Sequence, residues 1–199
     1  MNESLTMGIR AEQKDKRRED ILLAGLDLFV RKGFAATKIS DIAEQLGMSC
    51  GLLFHYFKSK EVLYEKLVGL GISILERRTE QLVKEPLEYF RCAIDTVLSN
   101  MTDAMNTASM YVLIVTAQKS DATPKKLREK ISDAYGKLVQ INIEKIKLGQ
   151  AMGQIREGAP EVLAATVMSC INGVIEHHLL HPEMSLPKTE WILDIVKKQ

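Results

Sequence analysis

Just after Gly47 the chain gathers Ser49, Cys50, Gly51, Leu52, Phe54, His55 and Tyr56 within eight positions. A hydroxyl, a thiol, an imidazole, ring edges and a glycine are groups that meet base edges and let a backbone come close to a phosphate. Lys58 and Lys60 follow, beside a helix start whose free N–H groups favour an anion, and Lys14, Lys16, Arg17 and Arg18 form a second basic cluster. Both clusters suit a nucleic-acid backbone. Bond-breaking chemistry finds no comparable footing. There is no Gly-rich phosphate loop, no G-x-S-x-G elbow and no spaced carboxylate pair, so neither an enzyme nor a cofactor is expected. His177, His178 and His181 beside Glu176 share helical faces as metal ligands do. They lack the H-E-x-x-H pattern, and histidines near a helix C-terminus also complement its negative end, so no metal is expected. Cys50, at the start of a recognition helix, is a candidate thiol switch.

The elements that must carry these groups are helices. Apolar residues recur at three- and four-residue steps, and the alternating runs of half-buried strands are missing, which predicts an all-α fold of about nine helices. Ile21, Ala24 and Leu28, with Leu22, Leu26 and Phe29, define a first helix over Lys14 to Arg31 that Gly33 ends. Thr37 is expected to cap a second helix, Lys38 to Leu46. Ser49 should cap a third reaching Phe57, and Ser59 a fourth reaching about Val83. Pro86, Pro124 and Pro160 stand at the starts of later runs, where a missing N–H costs nothing. These runs are Pro86 to Met105, Thr107 to Lys119, Pro124 to Gln150, Pro160 to Leu180 and Lys188 to Lys197.

Length and charge set the outer limits. The 199 residues allow one domain, or a small domain with a larger companion, and 27 Lys and Arg against 26 Asp and Glu leave any nucleic-acid surface local. At 46% apolar residues the chain can bury a core, which excludes disordered and collagen-like classes. Three scattered cysteines with no C-x-x-C pair favour a reducing cytoplasm. The polar first twenty residues and the lack of 18 uninterrupted apolar positions argue against export or a membrane.

The pair of short helices around Gly47 has helix-turn-helix spacing, with Ala43 small at the crossing and Leu46, Met48 and Leu53 facing a shared core. The runs ILLAGLDLF from Ile21 and GFAATKISDIAEQLGMSCGLLFHYFKSKEVL from Gly33 to Leu63 resemble the N-terminal domain of the TetR family of transcriptional regulators. That resemblance implies a helix-turn-helix domain over 10–58 and a ligand-binding and dimerisation domain over 59–199. It implies a position near phosphate for Thr37, a recognition helix opening at Ser49, Cys50, Gly51 and Leu52, and DNA-facing roles for Phe54, His55, Tyr56 and Lys60. Cys50 stands where the family often has lysine or another polar residue, and Phe54 where tyrosine is usual. Phe54 therefore has no hydroxyl for a phosphate.

One recognition helix reads too few base pairs to select a site, because each contact is worth only about 1 to 3 kcal/mol, so a dimer on a palindrome is expected. Val162, Thr166, Val167, Met168, Cys170, Ile171, Val174 and Ile175 spread around their helix, with Trp191, Ile192, Ile195 and Val196 behind them. One face can pack inward and another meet a twin; Val167, Ile171, Val174, Ile175, Trp191, Ile192 and Ile195 are the expected interface. Phe90, Ile94, Met101, Met105, Met110, Tyr111, Ile114, Tyr135, Leu138 and Ile171 are the expected lining of a pocket for a small, largely apolar effector. The chain thus reads as a ligand-responsive regulator on double-stranded DNA, a repressor released by its effector. The alternative is a helical protein-interaction adaptor without sequence-specific DNA binding.

Overall fold

The computed structural model describes residues 3–79, 85–102 and 107–198. Among them are nine α-helices, here α1 (Glu3–Ala36), α2 (Ile39–Gln45), α3 (Cys50–Tyr56), α4 (Lys60–Thr79), α5 (Pro86–Ser99), α6 (Thr107–Lys119), α7 (Lys125–Ala151), α8 (Pro160–Leu180) and α9 (Thr189–Leu193). A 3-10 turn, Asn100–Thr102, extends α5, and one antiparallel bridge joins Ile155 to Lys197. The fold is all-α, as expected.

Several ends differ from the periodic reading, each for a local reason. α1 opens at Glu3 rather than Lys14 and reaches Ala36 across a break at Gly33, where φ is 79° and ψ is 161°. Its early turns hold Ser4, Thr6 and Gly8 among only a few large apolar residues, Leu5, Met7 and Ile9, so no continuous apolar stripe marks them. The N-cap of α2 is Lys38, not Thr37; the Lys38 N–H donates to Asp41 Oδ2 at 3.4 Å. The expected helix from Lys188 to Lys197 stops at Leu193 because the following backbone is drawn into pairing: Arg156 N–H donates to Val196 O (2.8 Å) and Lys198 N–H to Gln154 O (3.0 Å). The expected stretch of α4 beyond Thr79, and Met105 at the end of the expected fifth helix, lie outside the described residues.

Two apolar clusters hold the helices together. The first joins Ile21, Leu26 and Phe29 of α1, Ile42 of α2, Leu53 of α3 and Phe57 to Leu63 and Leu67 of α4, and it continues into Met110, Leu113 and Ala117 of α6 and Ile131 of α7. Tyr64 meets the Phe29 ring edge-on at 5.2 Å, and its hydroxyl pairs with Thr123 Oγ1 at 3.2 Å. The second cluster joins Tyr89, Phe90, Ile94 and Val97 of α5, Met101, Ile146 of α7, Val167, Ile171 and Ile175 of α8, and Ile192 and Leu193 of α9. Inside it the Tyr89 hydroxyl donates to Asn142 Oδ1 at 2.9 Å, which satisfies two buried polar groups at once.

α4 crosses α6 so closely at Gly71 that a Cβ there would stand 2.7 Å from Ile114. Gly71→Val is expected to overpack this crossing and to destabilise the fold by about 1–3 kcal/mol. Urea denaturation should show a lower midpoint at an unchanged m-value.

Candidate nucleic-acid interface

The turn between α2 and α3 is made by Gly47, whose φ of 59° is a left-handed geometry that costs glycine little. Ser49 then caps α3, its Oγ accepting from the Leu52 N–H at 3.2 Å. Leu53 and Phe57, four residues apart, are 0% and 1% exposed and anchor the segment in the first cluster. Their burial turns Ser49, Cys50, Gly51, Leu52, Phe54 and His55 outward. Leu52 and Phe54 stay 44% and 45% exposed, large apolar groups left in solvent on a seven-residue helix. Tyr56 is half-buried and stacks its edge against His55 at 5.7 Å.

The N-terminal part of α1 runs past this face. Lys14, Lys16 and Arg17, all exposed, wall a groove with Gln13, Asp20, Leu52, His55 and Tyr56. Arg18 behaves differently from its basic neighbours. Its guanidinium lies 4.5 Å over the Phe57 ring and donates to Tyr56 O at 3.4 Å, so it ties α1 to the end of α3. Behind α2, Asp41 accepts from Lys32 Nζ at 3.2 Å, and this bond, with the Lys38 N–H, holds its carboxyl below the usual carboxylate range.

Two expected DNA contacts are placed elsewhere. Thr37 is 0% exposed, and its hydroxyl donates to Gly33 O at 2.8 Å and to Leu28 O at 3.2 Å, leaving no side-chain atom to offer a phosphate. Lys60 turns back onto its own chain: Nζ donates to Phe34 O and Thr37 O, both at 2.8 Å, and lies 4.4 Å over the Phe34 ring. The break at Gly33 leaves the carbonyls that follow it without helical partners, and this ammonium satisfies them.

A second site lies further along. A cavity of about 260 Å³ opens between Gly71, Ile74 and Leu75 of α4, Met110, Tyr111, Ile114, Val115, Gln118 and Lys119 of α6, Tyr135 and Leu138 of α7, and Met168, Ile171, Asn172 and Ile175 of α8. Burial, reinforced by Tyr135 and Glu176, pushes the Tyr111 phenol up to about 12. Six of the expected lining residues stand here. Phe90, Ile94 and Met101 instead fill the second apolar cluster, and Met105 lies outside the described residues. Asn172, Gln118 and Lys119 were missed, although Tyr111, Val115 and Gln118 repeat at helical spacing.

On the C-terminal helices the expected interface divides. Val167, Ile171, Ile175 and Ile192 are 1%, 7%, 2% and 3% exposed and pack within their own chain, so they are not free to meet a twin. Val174 and Ile195 are half-buried, and Trp191 is 64% exposed. Val162 and Leu180 of α8, at 62% and 70%, are the large apolar groups on its open side. By length and composition alone α8 is apolar enough to cross a membrane, at a mean hydropathy of 1.2. At its C-terminal end, His177 Nε2 lies 3.3 Å from Met184 Sδ and His181 pairs with Glu183 at 3.4 Å. Among the described residues no three His, Cys, Asp or Glu side chains gather to hold a metal ion.

A short helix pinned by two apolar anchors, with its polar and ring-bearing side in solvent beside basic residues, defines a helix-turn-helix DNA-binding protein. Residues 21–67 match the model of the bacterial regulatory proteins of the tetR family. Over that segment, the helix-turn-helix and its flanking helices, the chain is similar to that family of transcriptional regulators. It is 23% identical over 180 residues to the HTH-type transcriptional regulator YfiR of Bacillus subtilis (strain 168), covering 88% of this chain and 86% of that one. It is 34% identical over 79 residues to the HTH-type transcriptional repressor KstR2 of Mycolicibacterium smegmatis, a stretch that spans 38% of either chain. Among solved structures, the ketosteroid transcriptional regulator KstR2 of Mycobacterium tuberculosis superposes with a TM-score of 0.76 at 19% identity over 92% of this chain and 96% of that one. A SmeT–triclosan complex superposes with a TM-score of 0.59 at 21% identity, over 92% of each chain. These structural likenesses show the shared fold.

Lys60→Met and Thr37→Val are expected to lower the thermal unfolding midpoint, each removing hydrogen bonds worth about 1–2 kcal/mol. Calorimetry checks this. A Lys60→Met protein that keeps its midpoint but loses DNA affinity would put the ammonium on a phosphate instead.

Proposed function

We propose that the chain is a repressor that binds a palindromic operator as a homodimer in the cytoplasm and leaves it when a small, largely apolar effector fills the cavity between α4, α6, α7 and α8. The observation that carries this reading is the outward face of α3, exposed from Ser49 to His55 while Leu53 stays buried. In the proposed complex Ser49, Cys50, Gly51, Leu52, Phe54 and His55 enter the major groove, while Lys14, Lys16 and Arg17 grip the backbone alongside. We assign 10–58 to reading DNA and 59–199 to pairing and effector binding.

The lever is α4. Its first half, through Leu63 and Leu67, packs under the helix-turn-helix, and its second half, through Gly71, Ile74 and Leu75, walls the cavity. A molecule in that cavity touches the same rod that supports α3. Two reading heads about 34–36 Å apart match successive major grooves, so a small tilt of α4 in each subunit breaks the register. The effector acts only through its differential affinity for the two arrangements. Pairing through the open side of α8, Val162 to Leu180, with Trp191 at its border, leaves the cavity inside each subunit.

Three outcomes follow. Binding to a palindromic duplex should weaken with salt at a slope of about −0.9 per phosphate neutralised, as titrations at several ionic strengths report. Leu52→Ala or His55→Ala should change base preference, whereas Lys16→Ala should weaken all sequences alike. Trp191 is the chain's one tryptophan, so association should shift its emission to the blue as concentration rises, in step with a dimer in sedimentation. A salt-independent interaction, or a monomer at micromolar concentration, counts against the reading.

A further inference from the structure

The polar groups facing the cavity are one-sided in their chemistry. Tyr111 and Tyr135 bring phenol hydroxyls, Gln118 and Asn172 bring amides, and Lys119 brings an ammonium. No Asp, Glu, His or Arg stands among these lining residues. Neither phenol has a hydrogen-bond partner among the described residues, and Lys119 forms no ion pair with any of them. Neither hydroxyl is engaged by a described residue, so both are available to donate to a ligand. With its proton held to about pH 12, Tyr111 is a neutral donor throughout the physiological range. Around these groups the wall is apolar: Ile74, Leu75, Val97, Ile114, Leu138 and Met168.

Size narrows the class. At about 30 Å³ for each water-sized group, the 260 Å³ cavity holds roughly nine non-hydrogen atoms. A cation would find no opposite charge in this wall, whereas an anion finds Lys119 and a surplus of donors. Glu176 acts on Tyr111 from outside the lining, and Lys119 lies eight residues further along α6, about two turns away. That separation sets the place for a negative head at the Lys119 end. Resting on the effector reading above, we propose that this cavity takes an apolar monocarboxylate of roughly nine non-hydrogen atoms, its charge met by Lys119 and its body held against the wall of α4, α7 and α8.

Isothermal titration of the full chain with octanoate, octan-1-ol and octylamine, which have the same chain length, tests this. Octanoate is expected to bind at least about tenfold more tightly than octylamine and more tightly than octan-1-ol. Lys119→Met, a change at an exposed side chain, should weaken octanoate by about five- to tenfold and leave octan-1-ol unchanged. Val115→Phe, which fills the cavity, should remove binding of octanoate and octan-1-ol alike. Failure of the wild type to bind octanoate, equal affinity for octylamine, or indifference of octanoate to Lys119→Met overturns the proposal. If octanoate binds as expected but saturation leaves operator affinity unchanged, the carboxylate site stands and the effector reading falls. If octan-1-ol binds best and releases DNA, the effector reading stands and the carboxylate falls.

Discussion

The presentation of α3 depends on where Leu53 and Phe57 are buried. A seven-residue helix has no stability of its own, since nucleation is unfavourable and too few hydrogen bonds follow it. Its existence and its rotation both come from these two side chains entering the core of α1, α2 and α4. Once they are inside, geometry leaves the positions between and before them outside. The exposure of Leu52 and Phe54 is then a consequence of that burial rather than an error of packing. Arg18 reinforces the arrangement from the far end by covering Phe57 and donating to Tyr56 O.

The same core explains how a distant cavity can matter to this helix. It does not close beneath the helix-turn-helix but continues through Leu63 and Leu67 into Met110, Leu113, Ala117 and Ile131. Close-packed interiors transmit displacement because they have few voids to absorb it. At Gly71 the transmission is direct, for α4 and α6 meet there with no side chain between them on the α4 side. Immediately beyond that crossing lies the cavity. In the proposed mechanism a molecule in it touches Ile74 and Leu75 of a helix whose other half holds Leu63 against the helix-turn-helix core.

Periodicity made most of the helices legible, because each apolar stripe in the chain has a core to enter. The stops at Gly33 and Gly47 and the caps at Ser49 and Ser59 were equally plain, since the backbone chemistry there is local. What sequence left hidden was direction among polar side chains. A lysine beside a helix start reads alike whether it reaches a phosphate or three carbonyls of its own chain, and Lys60 does the latter. Thr37 likewise reads as a cap until the break at Gly33 turns it inward. The shortening of the last helix depends on pairing between 154–156 and 196–198, a long-range contact that no local pattern carries.

α8 shows how far an all-round apolar helix can be interpreted. Its pattern supports a core helix, a membrane helix and a helix covered on two sides, and length and hydropathy do not separate them. Burial does separate its faces: Ala164, Val167, Ile171 and Ile175 face the interior, so the residues that looked most like an interface are already occupied. The opposite side runs from Val162 through Ala165, Ser169 and Gly173 to Leu180, small residues flanked by large ones. Small residues at the middle of a helix face allow another helix to approach closely, and large apolar residues at its ends gain most from being covered. A twin copy of α8 meets both demands with one self-complementary surface, which a twofold axis requires. The inward face meanwhile stays committed to the cavity, so in the proposed dimer pairing and effector binding occupy opposite sides of one helix.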